Sequence, residues 1–211
     1  MATMMKSADP ILLHLSRADR RLAGIIKTVG RYTIVTGGDP FQTLARSIMY
    51  QQLAGSAADA IHARFLKLYG GRKFPSPERL AATPDEQLRA VGLSGRKTEY
   101  LKGLAAAVSV GSLDLASLAT VQDEEHVIEQ LTTIRGIGRW TAEMFLIFCL
   151  GRLDVLPVGD LGLQRAMQKA YGMRKLPAPE RMEKIALPWR PYRSVATWYM
   201  WKSLEKFKAI G

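Results

Sequence analysis

The strongest constraint on the fold is the stretch 131–142, in which two glycines flank one aliphatic residue. The sequence predicts that a helix ends at Leu131, that Gly136–Gly138 forms a tight turn, and that Arg139 begins an apolar helix. Such a turn exposes backbone N–H groups at a helix N-terminus, where the helix dipole favours a phosphate oxygen. Ile137 is expected to plug into the protein and hold the turn rigid. The alternative, an ordinary corner between helices with a glycine cap, is the commoner reason for so short a motif.

The composition excludes several other classes of protein. With 211 residues, 47% of them hydrophobic, the chain can bury a core as one domain or as two small lobes. It has no apolar run long enough to span a bilayer and no signal-peptide layout at its N-terminus, so we expect a cytoplasmic protein. The single cysteine, Cys149, excludes an internal disulfide framework and a four-cysteine zinc or iron–sulfur site supplied by this chain.

The charge indicates a polyanionic partner. The formal net charge is +11, and the excess is concentrated after Leu161, where only Glu180, Glu183 and Glu205 oppose the basic residues. Those basic residues are Arg165, Lys169, Arg174, Lys175, Arg181, Lys184, Arg190, Arg193, Lys202, Lys206 and Lys208. Nucleic acid is the natural partner for such a chain, although charge by itself establishes no specific ligand.

The rest of the chain predicts one helix after another. Helix starts are predicted at Asp39-Pro40, Ser76-Pro77, Thr83-Pro84, Thr120–Asp123, Pro179 and Pro191. Thr83 with Glu86 fits a capping box, and Gly70-Gly71 marks a helix end. Only Tyr32–Val35 suggests a short strand. The pattern therefore predicts an all-α protein.

Asp160 is the candidate for chemistry. The preceding Leu156–Gly159 contains a proline and a glycine that favour an extended approach, so Asp160 is expected at the N-terminus of a new helix. One interpretation is an aspartate that caps the helix, which is common at this position. The other is a carboxylate aimed into a cleft opposite the hairpin. The residues alone leave both open and favour the cap.

Several segments in one order and spacing carry a family resemblance. They are the hairpin 131–142, Pro157–Asp160, Trp189–Ser194 with Trp201, Ala45–Ile48 and Gln51–Leu53. Together they resemble the helix-hairpin-helix DNA glycosylase superfamily, and within it the 3-methyladenine DNA glycosylase II type. The resemblance runs from about Asp39 to Phe207 and implies two helical lobes with a DNA-binding cleft between them. A six-helix lobe would comprise residues 40–152, and the second lobe residues 1–39 and 153–211.

The resemblance also assigns roles to residues. Asp160 becomes the catalytic aspartate, which would stand at the mouth of the cleft. Gln52 and Leu53 would wedge into the space that a flipped nucleotide leaves; the alternative is a polar helix end with Leu53 in the core. The DNA-binding residues of the hairpin would be Gly136, Ile137, Gly138, Arg139 and Thr141. The carbonyl groups of Thr132, Ile134 and Ile137 would hold a structural Na⁺ or K⁺.

The predicted base pocket is aromatic, because a flipped cationic base suits stacking and cation–π attraction. Trp140 and Trp201 match pocket positions of the family. Met144 and Leu161 stand where the resembled bacterial enzyme has tyrosines, so the substrate range is open. Trp140 also occupies the position at which family members that cut the DNA backbone carry a lysine nucleophile. The chain therefore resembles a monofunctional glycosylase.

The predicted function is excision of alkylated, cationic purines such as 3-methyladenine from double-stranded DNA by a monomer that requires no cofactor. His14, His62 and His126 lack metal-ligand spacing and are expected in ordinary core or surface roles. Two alternatives remain: a helix-hairpin-helix protein that binds DNA without chemistry, and a glycosylase for deaminated or oxidised bases. Asp160 argues against the first, since a carboxylate beside an anionic ligand costs Coulomb energy. For a bacterial source the enzyme would associate with the nucleoid.

Overall fold

The computed structural model describes residues 9–53, 55–71 and 73–208. Within those ranges all regular structure is helical, which confirms the predicted all-α class. The chain divides into two compact units. The first comprises the described residues up to Val35 and from Gly151 onward, and the second comprises Thr36–Leu150.

The first unit contains five α-helices and one 3₁₀ turn among its described residues. They are α1 Pro10–Ala18, α2 Arg20–Val29, α11 Leu161–Tyr171, α12 Pro179–Ala186, the turn Leu187–Trp189, and α13 Arg193–Lys208. The core of this unit is built around two large side chains, Trp189 and Tyr199, which are fully buried. Leu22 and Ile26 of α2 lie one turn apart and pack into the same core, as the helical period requires.

The second unit contains eight helices among its described residues. They are α3 Pro40–Tyr50, α4 Gly55–Leu68, α5 Pro77–Ala82, α6 Asp85–Ala90, α7 Gly95–Ser109, α8 Leu115–Thr120, α9 Glu124–Thr132 and α10 Arg139–Phe148. The family resemblance implied six helices for a lobe comprising residues 40–152. Helix α8 is one that no predicted start precedes, although Asp114 caps it by accepting from the amides of Ala116 and Ser117. Helix α7 packs against α3, α5 and α6.

Two local predictions are wrong. Tyr32–Val35 forms no strand; Tyr32 and Ile34 pack singly against the core of the first unit, with no neighbouring strand to pair with. The predicted capping box at Thr83 is absent, because this residue ends α5 instead of starting α6. Its hydroxyl donates to the Arg79 carbonyl at 2.8 Å and is 2.7 Å from the hydroxyl of Tyr69.

None of the helices in the described part of the chain combines the length and the apolar character that crossing a bilayer requires.

Candidate active site and nucleic-acid interface

The hairpin between α9 and α10 has the form that the sequence predicted. Helix α9 ends at Thr132, and the Ile137 amide donates to the Ile134 carbonyl at 3.0 Å to close the turn. Ile137 is only 3% exposed, so its side chain anchors the turn. Gly138 begins α10 in an extended conformation and supplies no side-chain cap. No side chain of the N-cap residue therefore accepts from the first amides of this ten-residue helix. The helix dipole favours an anion at this end.

The two glycines of the hairpin have different reasons to be glycine. Gly136 has φ +92°, and a Cβ atom there would lie 2.3 Å from Cδ2 of Tyr100. The fold itself therefore requires glycine at 136. Gly138 has an ordinary φ of −92°, and a Cβ built there meets no described atom within 4 Å. The fold therefore does not require glycine at 138. A residue without a side chain there would let a phosphate group approach the backbone closely.

Arg139, predicted to contact phosphate, is engaged by carboxylates. Its Nη1 and Nη2 donate to the two carboxylate oxygens of Glu125 at 2.6 and 2.7 Å, and its Nε donates to Glu143 at 3.2 Å. The hydrogen bonds with Glu125 raise the pKa of Arg139 and lower the pKa of Glu125. A phosphate at Arg139 would have to share the guanidinium with Glu125 or displace it. Thr141, the other predicted contact on α10, is buried, with 6% of its surface exposed.

Trp140 and Met144 lie one helical turn apart on α10, so they share a face of that helix. Trp140 is 49% exposed, which is unusual for the largest apolar side chain. Met144 is half-buried. About half of the indole surface is therefore exposed to solvent, and the role of Trp140 in a base pocket stays a prediction.

The connection Gln51–Leu53 turns sharply after α3. The Leu53 amide donates to the Tyr50 carbonyl at 3.3 Å, and Gln52 has φ +56°, a left-handed conformation that non-glycine residues seldom adopt. Gln52 and Leu53 are exposed, Leu53 by 39%. The alternative that put Leu53 in the core is therefore wrong. These two side chains project from a backbone that is fixed by the turn.

Asp160 is the N-cap of α11, as the sequence predicted. Its Oδ1 accepts from the Leu163 amide at 2.6 Å and from Nε1 of Trp201 at 2.8 Å. A Cβ atom at Gly162 would lie 3.0 Å from this same oxygen and 3.3 Å from Cδ1 of Trp201. Glycine at 162 lets the indole approach the carboxylate. The cap and the indole together hold the carboxylate in one orientation, so capping and chemistry are compatible roles for Asp160.

Helix α13 carries Trp201, and its first residues also bind the segment that leads to Asp160. At its start, Nε and Nη2 of Arg193 donate to the two carboxylate oxygens of Asp154 at 2.8 and 3.0 Å. The Ser194 hydroxyl accepts from the Val155 amide at 3.0 Å. These contacts tie residues 154–155 to the helix that carries Trp201 two turns further on. Bidentate arginine–carboxylate pairing gives this attachment a defined geometry.

The sequence pattern predicted Asp160 and Trp201 but missed what holds them. Gly162 is a signal that could have found part of it, since glycine in the first turn of a helix costs stability and indicates a close approach. The Asp154–Arg193 pair spans 39 positions and has no local signature. The predicted base pocket draws Leu161 and Trp201 from the first unit and Trp140 and Met144 from the second, and it stays a prediction.

The donor set of the predicted cation site fits Na⁺ or K⁺. Thr132 ends α9, and Ile134 and Ile137 lie in the turn that follows. The Ile134 carbonyl already accepts from the Ile137 amide at 3.0 Å, so it would offer a cation its second lone pair. Neutral carbonyl oxygens suit a hard cation.

Among the described residues, no three His, Cys, Asp or Glu side chains gather to bind a metal ion. His14 packs edge-on against Tyr192, and His62 lies beside Tyr50 and Phe74.

Comparison with known proteins gives consistent matches. The model of the HhH-GPD superfamily base excision DNA repair proteins matches residues 45–191. DNA-3-methyladenine glycosylase 1 of Schizosaccharomyces pombe is 37% identical over 90% of this chain and 85% of its own length. A crystal structure of DNA-3-methyladenine glycosidase from Bacillus halodurans superposes with a TM-score of 0.87 at 41% identity, covering 96% of this chain and 93% of that one. The S. pombe 3-methyladenine DNA glycosylase Mag1 in complex with abasic DNA gives a TM-score of 0.82 at 36% identity, covering 93% and 97%.

Proposed function

Since the chain belongs to the HhH-GPD superfamily of base excision DNA repair proteins, we propose that it is a monofunctional DNA glycosylase that releases alkylated, cationic purines such as 3-methyladenine. The observation that carries this proposal is the oriented carboxylate of Asp160, held by the Leu163 amide and the Trp201 indole. The same activity appears in the names of relatives that match over most of their length.

The chemistry follows from the charge that develops at the sugar. As the bond between C1′ and the base nitrogen breaks, its electron pair goes to the base, and C1′ becomes oxocarbenium-like. The Asp160 carboxylate would stabilise that positive charge. Such electrostatic stabilisation is strongest in a site from which water is excluded. A water oxygen then bonds to C1′ and gives its proton to the carboxylate or to solvent. The base leaves neutral because it was cationic, so no acid catalyst on the base is needed.

The DNA backbone would be held by the second unit. A phosphate oxygen would bind at the N-terminus of α10 beside Gly138, and the open space at this glycine supports that placement. The carbonyls of Thr132, Ile134 and Ile137 would hold a monovalent cation there, which would neutralise part of the phosphate charge. The exposed Gln52 and Leu53 would fill the space in the duplex that the extruded nucleotide leaves. Trp140 and Trp201 would contact the extruded base.

We further propose that the protein acts as a monomer on double-stranded DNA. A DNA repair enzyme works where the chromosome is, so we assign it to the cytoplasm, and to the nucleoid if the source is bacterial.

The deciding assay is release of free base from four duplexes, which carry alkylated purines, uracil, hypoxanthine or 8-oxoguanine. We expect release from the alkylated duplex and little from the others, because a cationic base leaves as a neutral molecule, whereas a neutral base must either be protonated or leave as an anion. Preferential release of uracil, hypoxanthine or 8-oxoguanine would favour the alternative specificity. Binding without any release would favour a non-enzymatic DNA-binding protein.

Monofunctional action has its own test. Trp140 occupies the position of the lyase lysine, and an indole cannot form a Schiff base. We expect an intact strand with an abasic site, which breaks only after heat or alkali, and no adduct after borohydride treatment. Efficient borohydride trapping would contradict monofunctional action and would require another nucleophile.

A further inference from the structure

Two side chains outside the proposed catalytic set connect the Gln51–Leu53 turn to the rest of the second unit. Lys97, in the first turn of α7, donates from Nζ to the carbonyls of Met49 and Gln51 at 2.8 and 2.7 Å. The ammonium group thus lies at the C-terminal end of α3, where carbonyls lack helical partners and the dipole favours a cation. Both hydrogen bonds are partly buried, and this burial lowers the pKa of Lys97.

The same turn is also tied to the hairpin. Nε2 of Gln51 donates to the carbonyl of Gly136 at 2.8 Å, across 85 positions of sequence. Gly136 is the residue that packs its backbone against the Tyr100 ring. One hydrogen bond therefore joins the residue that precedes Gln52 and Leu53 to the proposed phosphate-binding turn.

Helix α7 contacts both the Gln51–Leu53 turn and the hairpin. Lys97 and Tyr100 are three positions apart and so lie on the same side of the helix. Lys97 binds the end of α3, while Tyr100 packs under Gly136 and the adjacent Glu99 forms an ion pair with Arg135 of the hairpin. The left-handed conformation of Gln52 is of the kind that persists only where surrounding contacts enforce it.

We propose that Lys97 and Gln51 are positioning residues that lock the Gln52–Leu53 turn to the phosphate-binding hairpin. A duplex bound at the hairpin then meets Gln52 and Leu53 at a fixed distance along its backbone, so that phosphate binding and insertion into the base stack occur in one register. This inference rests on the proposed function in assigning insertion to Gln52 and Leu53. Neither Lys97 nor Gln51 needs to touch the reacting atoms.

The test compares binding to an intact duplex with binding to the same duplex carrying a tetrahydrofuran abasic-site analogue. In Lys97→Met, which keeps the length of the side chain and removes its donors, we expect the preference for the abasic duplex to fall about tenfold. Affinity for the intact duplex should stay within about twofold of wild type. Lys97→Arg should recover most of the preference, because its guanidinium can reach the same carbonyls.

Lys102→Met is the matched control. Lys102 is on the same helix, pairs with Asp85 at 2.7 Å, and removing its charge lowers the net charge by the same amount. It should leave the preference unchanged. Hydrogen exchange should also show faster exchange at the amides of residues 52 and 53 in Lys97→Met but not in Lys102→Met. An unchanged preference with unchanged exchange would overturn the proposal.

Gln51→Met provides a second variant if Lys97→Met folds poorly, and its preference should fall in the same direction. Release of methylated bases by the wild-type protein is measured on the same samples. If wild type releases no base while the preference still depends on Lys97, the proposed function fails and the positioning role stands. If base is released and the preference ignores both variants, only the positioning role fails.

Discussion

At Asp160, one carboxylate oxygen accepts hydrogen bonds from two elements that are far apart in sequence. The Leu163 amide belongs to the first turn of the helix that Asp160 caps, and the Trp201 indole comes from the last helix. An aspartate N-cap is common, but capping does not require a hydrogen bond from a tryptophan. Gly162 lies beside both the carboxylate oxygen and the indole ring and leaves room for this contact. We interpret the indole as the group that aims the carboxylate.

The indole contact makes a prediction about rate. Trp201→Phe keeps an aromatic ring and removes the donor to Asp160, so we expect single-turnover base release to slow by about tenfold. Affinity for undamaged DNA should be unchanged. In an Asp160→Asn background, the same substitution should add little further loss, because the two residues act through one carboxylate. A Trp201→Phe enzyme as fast as wild type would show that the hydrogen bond has no part in catalysis.

At the scale of the elements, the hairpin separates two kinds of glycine. Gly138→Val should fold normally, since its φ suits a β-branched residue and the space beside it is open. We expect it to weaken binding to damaged and undamaged duplexes alike by about tenfold, because a phosphate contact carries no sequence or lesion information. Fluorescence anisotropy with both duplexes measures this.

Gly136→Val is the paired variant with the opposite expectation. Its positive φ and the clash with Tyr100 should lower the free energy of unfolding by about 2–4 kcal/mol, measured by thermal or urea unfolding. If instead Gly136→Val were stable and Gly138→Val unfolded, the division between a structural glycine and a binding glycine would be wrong.

The same element shows which features the sequence could predict. The hairpin, the helix start at Asp160 and the starts at Pro40, Pro77 and Pro179 follow from residues within one or two turns of each other, and the structure contains all of them. Thr83 departs from its predicted role because its partner, the hydroxyl of Tyr69, is set by packing instead of by the next turn. The tether from Gln51 to Gly136 joins residues 85 positions apart. No local pattern contains it.

At the scale of the whole molecule, a partly buried carboxylate joins three elements of the first unit that are far apart in sequence. Asp19 caps α2 and accepts at Oδ2 from the hydroxyl of Tyr171 and from Nε1 of Trp189. It thereby links α2, α11 and the 3₁₀ turn. Burial acts to raise the pKa of Asp19, but the hydrogen bond from Tyr171, with those from Trp189 and two backbone amides, lowers it below the ordinary value.

That lowered pKa sets the direction of an acid effect. A carboxyl group whose pKa is lower in the folded state contributes stability above its unfolded pKa of about 3.9. This contribution is lost as the pH falls through the folded pKa. Asp19→Ala should cost about 2–4 kcal/mol at pH 7, from the lost cap and the two donors left without their acceptor.

Asp19→Asn is the matched control, since an asparagine still caps α2 but carries no charge. It should lose less stability than Asp19→Ala at pH 7, and its stability should vary less than that of wild type between pH 5 and pH 2. Urea unfolding across this range measures both. Equal pH dependence in wild type and Asp19→Asn would show that Asp19 does not contribute to acid sensitivity.

The most direct test of the central claim is single-turnover release of methylated bases from alkylated duplex DNA by wild type and by Asp160→Asn. Asparagine can still cap α11, so the fold and DNA binding should persist, while the charge that stabilises the oxocarbenium-like sugar is gone. We predict a rate at least about a hundredfold lower for Asp160→Asn, with duplex affinity equal to or tighter than that of wild type. A folded Asp160→Asn enzyme that releases methylated bases near the wild-type rate would contradict the assignment of Asp160 as the catalytic residue.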